Sequence, residues 1–400
     1  MVAIIVLGSV AAFVTPLSAG ASNASKTTAV MSPTTRAGNA STAAVTSPKA
    51  AVNNASTAAA KTTPVVGAGT WNIQTVDSAG SVGEDTSLQL TPAGWPAISY
   101  GDPTNGVLKY TYKDASGWHT QVADSGGSSP GVGEFSSLQL TPAGWPAISY
   151  YDYTSGDLKY TYKDASGWHN QVVDSGGVGH YTSLQLTPAG WPAISYDDVH
   201  GALKYTHKDA SGWHTETVDS IGEFGADSDT SLKLTPAGWP AISYYNETNY
   251  PYGTLKYTHK DASGWHTETV DSGGNVGYFS SLQLTPTGWP AISYGGNGDL
   301  KYTYKDASGW HTQVADSNVG GENSLQLTST GWPAISYDDS PNGDLKYAYK
   351  DASGWHTQVA DSGGNVGMYN SLQLTPAGWP AISYLDLTNL DLKYTYKSPS

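Results

Sequence analysis

The chain has 400 residues, no cysteine, 19 basic and 34 acidic residues, and a formal net charge of −15 at pH 7. The missing cysteine excludes disulfides, thiolate metal sites and cysteine nucleophiles. Residues 1–70 hold no acid and four bases (Lys26, Arg36, Lys49, Lys61), so the rest sets 34 acids against 15 lysines, a net charge of −19; that acidity excludes a phosphate-binding surface for nucleic acid and fits cation binding or plain solubility.

Val2–Val14 is an apolar run followed by the small residues Ala19-Gly20-Ala21. We read residues 1–21 as a secretory signal, with an uncleaved anchor as the alternative; the run is short for a spanning helix and lacks the usual basic start. Residues 22–69 are Ala, Ser, Thr and Asn with scattered Pro. That composition cannot build a core and reads as a disordered linker. It carries the sequons Asn23-Ala24-Ser25, Asn39-Ala40-Ser41 and Asn54-Ala55-Ser56, usable only where a host has the machinery. The expected location is outside the cytoplasm, secreted or at the cell surface, with no membrane span once the signal is cleaved.

From residue 70 to 400 one unit is written seven times. Gly-Trp-Pro-Ala-Ile-Ser-Tyr recurs with its Trp at Trp95, Trp145, Trp191, Trp239, Trp289, Trp332 and Trp379, each followed by a Leu-Lys-Tyr segment. A third phrase, Trp-His-Thr-Gln-Val-x-Asp-Ser and its variants, begins at Trp118, Trp168, Trp213, Trp265, Trp310 and Trp355. In the first unit the strands are expected at Ser87–Leu90 (a), Pro96–Tyr100 (b), Leu108–Lys113 (c) and Trp118–Asp124 (d), since Tyr, Val, Ile, Thr and Trp alternate there between clusters of Gly, Pro, Asp, Asn and Ser. Lys-Asp-Ala-Ser-Gly-Trp between c and d predicts a tight hairpin with Gly117 at positive φ.

A period of about 47 residues suits a four-stranded propeller blade. The seventh copy of the third phrase is missing after Lys397 and appears at the front, as Trp71 to Ser78. A closed ring needs that displacement, because the N-terminal strand then completes the last blade. The fold expected is an all-β, seven-bladed β-propeller, monomeric, with four antiparallel strands per blade.

Strand alternation puts the a–b and c–d turns on one face and the b–c and d–a connections on the other. The first face is monotonous, and the second differs blade by blade. The d–a connections are expected to place Glu84, Glu134, His180, Tyr278, Glu322 and Met368, with Glu223 loosely aligned, around the mouth of the central channel. They would either hold a cation such as calcium, or a polar ligand, or stand as solvated rim residues. On the monotonous face Trp118, His119, Trp168, His169, Trp213, His214, Trp265, His266, Trp310, His311, Trp355 and His356 are candidate repeated ligand sites. Indole rings beside hydrogen-bonding groups suit a sugar. Packing between blades is the competing role for both these tryptophans and the Trp95 set. Metal binding by the histidines is not expected, because equivalent outer positions lie on the order of 15–20 Å apart around such a ring, whereas zinc ligands sit about 2 Å from the metal. The recurrent Asp77, Asp124, Asp174, Asp219, Asp271, Asp316 and Asp361 read as turn-capping carboxylates.

No nucleophile elbow, phosphate loop, dinucleotide fingerprint or zinc-protease signature occurs, and no cofactor is implied. Acids are abundant enough for a carboxylate-pair glycosidase, yet they recur identically and nothing marks one differentiated pair. Pro146-Ala147-Ile148-Ser149-Tyr150-Tyr151-Asp152 through Gly156-Asp157-Leu158-Lys159-Tyr160 resembles a repeat of secreted or surface-exposed prokaryotic proteins with Ile-Ser-Tyr-Tyr-Asp followed by Asp-Leu-Lys-Tyr-Ala. Here Trp-Pro-Ala stands before Ile-Ser-Tyr where a Pro-His pair is expected. More distantly the chain resembles lectin propellers with one sugar per blade. The resemblance implies a non-catalytic binding module for glycans, with a protein-interaction platform on the variable face as the alternative.

Overall fold

The computed structural model describes residues 69–126, 131–222, 229–248 and 251–399. The expected signal and nearly all of the linker, and Glu223, lie outside them. Among the described residues, 28 strands form seven four-stranded antiparallel sheets arranged as a ring of blades. Blades 1 to 6 span residues 84–124, 132–175, 178–220, 230–271, 276–316 and 323–361. Blade 7 takes its inner three strands from 366–398 and its outermost from Thr70–Asp77, which pairs with Asp391–Ser398 through Trp71 opposite Lys397. The displaced phrase is the latch of the ring.

Strands b, c and d of blade 1 are Pro96–Asp102, Val107–Asp114 and Gly117–Asp124, each extending the expected segment by one or two residues. Gly117 takes φ 129° at the hairpin, a conformation open to glycine and costly for a side chain. The larger departure is strand a, which begins at Glu84 and not at Ser87. In blades 1, 2, 3, 5 and 7 it crosses a bulge, where Asp85, Phe135, Tyr181, Phe279 and Tyr369 sit at φ 50–56°. Left-handed backbone at five equivalent non-glycine positions is uncommon and costs about 1 kcal/mol or more apiece.

The core is divided among the seven interfaces between blades. Val82, Leu88, Ile98 and Tyr100 of blade 1 pack with Ala381, Leu392 and Tyr394 of blade 7, and the same set recurs at each junction, as with Leu108 and Tyr110 against Leu138, Ile148 and Tyr150. A lone blade would leave both faces of strand b, buried throughout, in water. Burial at about 25 cal/mol per Å² of apolar surface is therefore gained only when neighbours meet.

Candidate functional site

The monotonous face is built from two turns that repeat almost without change. In the a–b turn of blade 1, Thr91 Oγ1 accepts the Trp95 N–H at 3.0 Å, while its backbone accepts from Gly94 at 2.8 Å. The turn holds the Trp95 indole outward, 39% exposed, and five equivalents (Trp145, Trp191, Trp239, Trp289, Trp332) lie at 38–40%. Trp379 is more covered, with the Gly69 backbone close against its six-membered ring. Exposure on this scale for a large aromatic, repeated around one face, is not what packing between blades produces.

The c–d hairpin carries a polar cluster. In blade 1, Asp114 Oδ1 accepts the Ser116 N–H at 2.7 Å and the Ser116 hydroxyl at 2.7 Å, and lies 3.0 Å from His119 Nε2. The His119 ring stacks on Tyr112 at 5.0 Å. The Ser116 hydroxyl first, then His119, holds the Asp114 carboxyl down to about 2, and Ser308 with His311 and Ser353 with His356 do the same for Asp306 and Asp351. His169, His214, His266, His311 and His356 repeat the arrangement on Asp164, Asp209, Asp261, Asp306 and Asp351. No metal-ligating group of three His, Asp or Glu occurs among the described residues.

Trp118 stands differently from Trp95. Its indole N–H donates to Gln74 Oε1 of the neighbouring blade at 3.1 Å, its ring meets Tyr394 edge-on at 5.5 Å, and Lys113 Nζ lies 5.5 Å from its centroid. Trp168, Trp213, Trp265, Trp310 and Trp355 repeat this, donating to a Gln or, at Trp265 and Trp310, to Glu216 and Glu268 of the blade before them and meeting its tyrosine edge-on, with a lysine of their own blade near the ring. These rings are half-buried fasteners between blades.

A second fastener lies nearer the variable face. The Tyr100 hydroxyl donates to Asp77 Oδ2 at 2.7 Å, and Lys109 Nζ bridges Asp77 at 2.9 Å and Asp102 at 2.8 Å. The tyrosine–aspartate bond recurs at all seven junctions through Asp124, Asp174, Asp219, Asp271, Asp316 and Asp361, whereas the lysine lacks its second acid where Asn246 and Gly296 take the place of Asp102. The expected turn cap is present as well, since the Ala79 N–H donates to Asp77 Oδ1 at 3.0 Å. Burial works against ionisation of Asp77, but Lys109, Tyr100 and the Ala79 N–H outweigh it and hold the carboxyl below its usual range.

Inside, strand a lines the channel in layers. Ser87 Oγ accepts the Leu138 N–H of the next blade at 2.9 Å, and this continues through Ser137, Ser183, Ser231, Ser281, Ser324 and Ser371 until Leu88 closes the belt. The layer above is Thr86, Ser136, Thr182, Thr230, Ser280, Asn323 and Asn370. Toward the variable face comes a layer that mixes acids with aromatic rings: Asp85, Phe135, Tyr181, Asp229, Phe279, Glu322 and Tyr369, lining a cavity of about 540 Å³.

This ring corrects the expected mouth. Glu84, Glu134, His180, Tyr278 and Met368 lie within strand a, not in loops, one position before the ring. Glu322 is the exception, because blade 6 lacks the bulge and its strand a starts at Asn323, so Glu322 falls in the ring itself. Each acid in the ring accepts a backbone N–H from the next blade: Asp85 from Phe135 at 2.9 Å, Asp229 from Phe279 at 2.8 Å, and Glu322 from Tyr369. Burial nevertheless dominates and raises Asp85 to about 7, with Glu134 and Glu84 adding repulsion. Burial likewise pushes Glu322 well above the carboxylate range, and Asp85 and Asp229 add to it. Near the other end of strand a, Gln recurs at six positions and Lys233 stands at the seventh; burial lowers its ammonium to about 8.

No protein-family model matches the sequence, and no curated protein matches it. Solved structures share the fold at low identity. A SapL1 lectin in complex with alpha methyl fucoside is 12% identical with a TM-score of 0.50, over 71% of this chain and 98% of that one. The polysaccharide lyase Uly1 is 12% identical with a TM-score of 0.52, over 81% and 90%. The extracellular domain of a putative hybrid two-component system from B. thetaiotaomicron is also 12% identical with a TM-score of 0.52, over 82% and 39%.

Proposed function

We propose that the chain is a non-catalytic, extracytoplasmic binding module that takes glycans at equivalent sites around its monotonous face. The observation that carries this reading is the circle of Trp95-type indoles, six of them 38–40% exposed, on the face that also bears the Asp114–Ser116–His119 clusters. An indole offers its flat face to the C–H side of a sugar ring, while carboxylate, hydroxyl and imidazole supply acceptors and donors for hydroxyl groups. Stacking falls to the Trp95 set; Trp118 and its equivalents hold the hairpins in position. Weak equivalent sites gain strongly when one branched or repetitive glycan engages several. Likeness to a lectin propeller agrees with this reading but contributes the fold alone.

The test is calorimetric titration of the full chain with the saccharides that a glycan array nominates. A stoichiometry of six or seven, lowered by one in Trp95→Ala, is the expected result. Blank arrays and polysaccharide pull-downs would sink it.

A second reading has its own observation. Four b–c loops of differing sequence expose Tyr153, Val199, Tyr252 and, in one loop, Leu387 with Leu390, at 39–65%. Individual apolar residues on the variable face suit a single protein partner. Replacing those loops by one consensus version would abolish partner capture and spare the repeated sugar sites.

A further inference from the structure

The ring at the variable end of the channel combines two kinds of side chain. Phe135, Tyr181, Phe279 and Tyr369 share it with Asp85, Asp229 and Glu322, and all seven line the same cavity. Phe135 and Tyr181 are in contact, with centroids 4.4 Å apart. The remaining layers of the channel are Ser, Thr and Asn. Aromatic faces carry negative electrostatic potential and attract a cation within about 6 Å of the centroid. Carboxylates between such faces supply the counter-charge.

A separate observation points to a missing positive partner. Asp197, on strand b of blade 3, is 1% exposed, and neither of its carboxyl oxygens has a hydrogen-bond partner. The charge that bears on it most is Asp229 of the ring. Asp338, whose N–H donates to the Glu322 carbonyl at 3.0 Å, keeps one carboxyl oxygen, Oδ1, buried and unpartnered, while Oδ2 accepts the Ser340 hydroxyl. Buried carboxylates without donors are costly and are ordinarily paired. No lysine or arginine stands among the residues that line the cavity, and Lys233 lies four residues along the strand from Asp229, about 13 Å away at the usual strand rise.

We propose that this ring is a single binding site for an organic ammonium ion, such as an alkylated amine. A bare metal ion fits the ring poorly. Calcium needs six or more oxygens at about 2.3–2.6 Å, whereas no metal-ligating group of three acids or histidines occurs among the described residues. Here the carboxylates are spread around the circle with aromatic rings between them, and each already spends one oxygen on a backbone N–H. An organic ammonium, with one positive charge spread under an apolar surface, uses both components at once. The ring stands apart from the indole face, so this site and the glycan sites succeed or fail separately.

Titration of the full chain with tetramethylammonium chloride tests the proposal, with tert-butanol as the neutral isostere and calcium chloride as the inorganic rival. One tetramethylammonium per chain is expected, with no tert-butanol binding and no displacement by calcium. Tyr181→Asn, whose new residue tolerates the left-handed backbone, should weaken binding at least tenfold, and Asp229→Asn should do the same through the charge. If either variant fails to fold, a ligand-induced rise in the melting temperature of the native chain, absent with tert-butanol, reads the same site. No tetramethylammonium binding, binding indifferent to both variants, or calcium excluding tetramethylammonium would each overturn the proposal.

Discussion

The junctions between blades and the ring at the channel mouth are made by the same strands but solve opposite problems. At the junctions the recurring polar groups mostly have partners that recur, Asp77 with Tyr100 and Lys109, Trp118 with Gln74, Ser87 with Leu138, the buried Trp71 indole nitrogen and Tyr347 hydroxyl being exceptions. At the mouth the repeat is broken, and acids face one another through burial with too few donors. Fourteen of the 15 lysines in the propeller, two per strand c, are spent on junctions. Saturated repetition builds the ring, and the broken layer is left for a ligand.

The largest effect that would break this comparison is removal of the latch. Deleting residues 1–77 strips strand Thr70–Asp77 from blade 7, uncovers Tyr394 and leaves Gln74 and Asp77 missing from the junction with blade 1. Cooperative unfolding in calorimetry should be lost or shifted down by more than about 10 °C, since several junction contacts go together. A chain that melts unchanged would mean that the ring closes without it.

Two equivalent acids sharpen the point. Lys109 keeps Asp102 if Asp77 is removed, but Lys301 has only Asp271, because Gly296 stands where Asp102 would. Asp271→Ala should therefore destabilise by about 1–3 kcal/mol in denaturant unfolding, and more than Asp77→Ala. Equal losses would show that the lysine contributes little.

Acid and base should separate the two regions further. Junction acids such as Asp77 sit below their unfolded value, so their stabilisation is present above about pH 4 and is lost as pH falls through the native pKa. Mouth acids have raised native values, Asp85 near 7. The folded chain then holds more protons than the unfolded one, and stability falls as pH rises from about 4 to 7. Melting temperature should drop by a few degrees between pH 5 and 8. Asp85→Asn with Glu322→Gln should flatten that slope, leaving the acid limb unchanged; an undiminished slope would place its origin elsewhere.

Much of the architecture was legible in the sequence because each unit repeats its turn chemistry, and because Trp71 to Ser78 reads as the lost last strand. The mouth was not. A bulge adds a residue to strand a in five blades, so alignment on the loops put Glu322 beside Glu84, one position off the ring. Counting back three residues from the invariant Leu of strand a (Leu88, Leu138, Leu184, Leu232, Leu282, Leu325, Leu372) finds the ring without gaps. Packing between blades was an open role for both tryptophan sets in the sequence, since both are flanked by turn residues; the acceptor from the neighbouring blade assigns it to the Trp118 set and leaves the Trp95 rings exposed.

The most direct test of the contrast between repeated and broken layers is a pair of stoichiometries measured on one preparation. Calorimetric titration with an array-selected saccharide should give six or seven sites per chain, and tetramethylammonium should give one, with neither ligand displacing the other. Equal stoichiometries, or mutual displacement, would contradict the division of the molecule into a repeated face and a single asymmetric mouth.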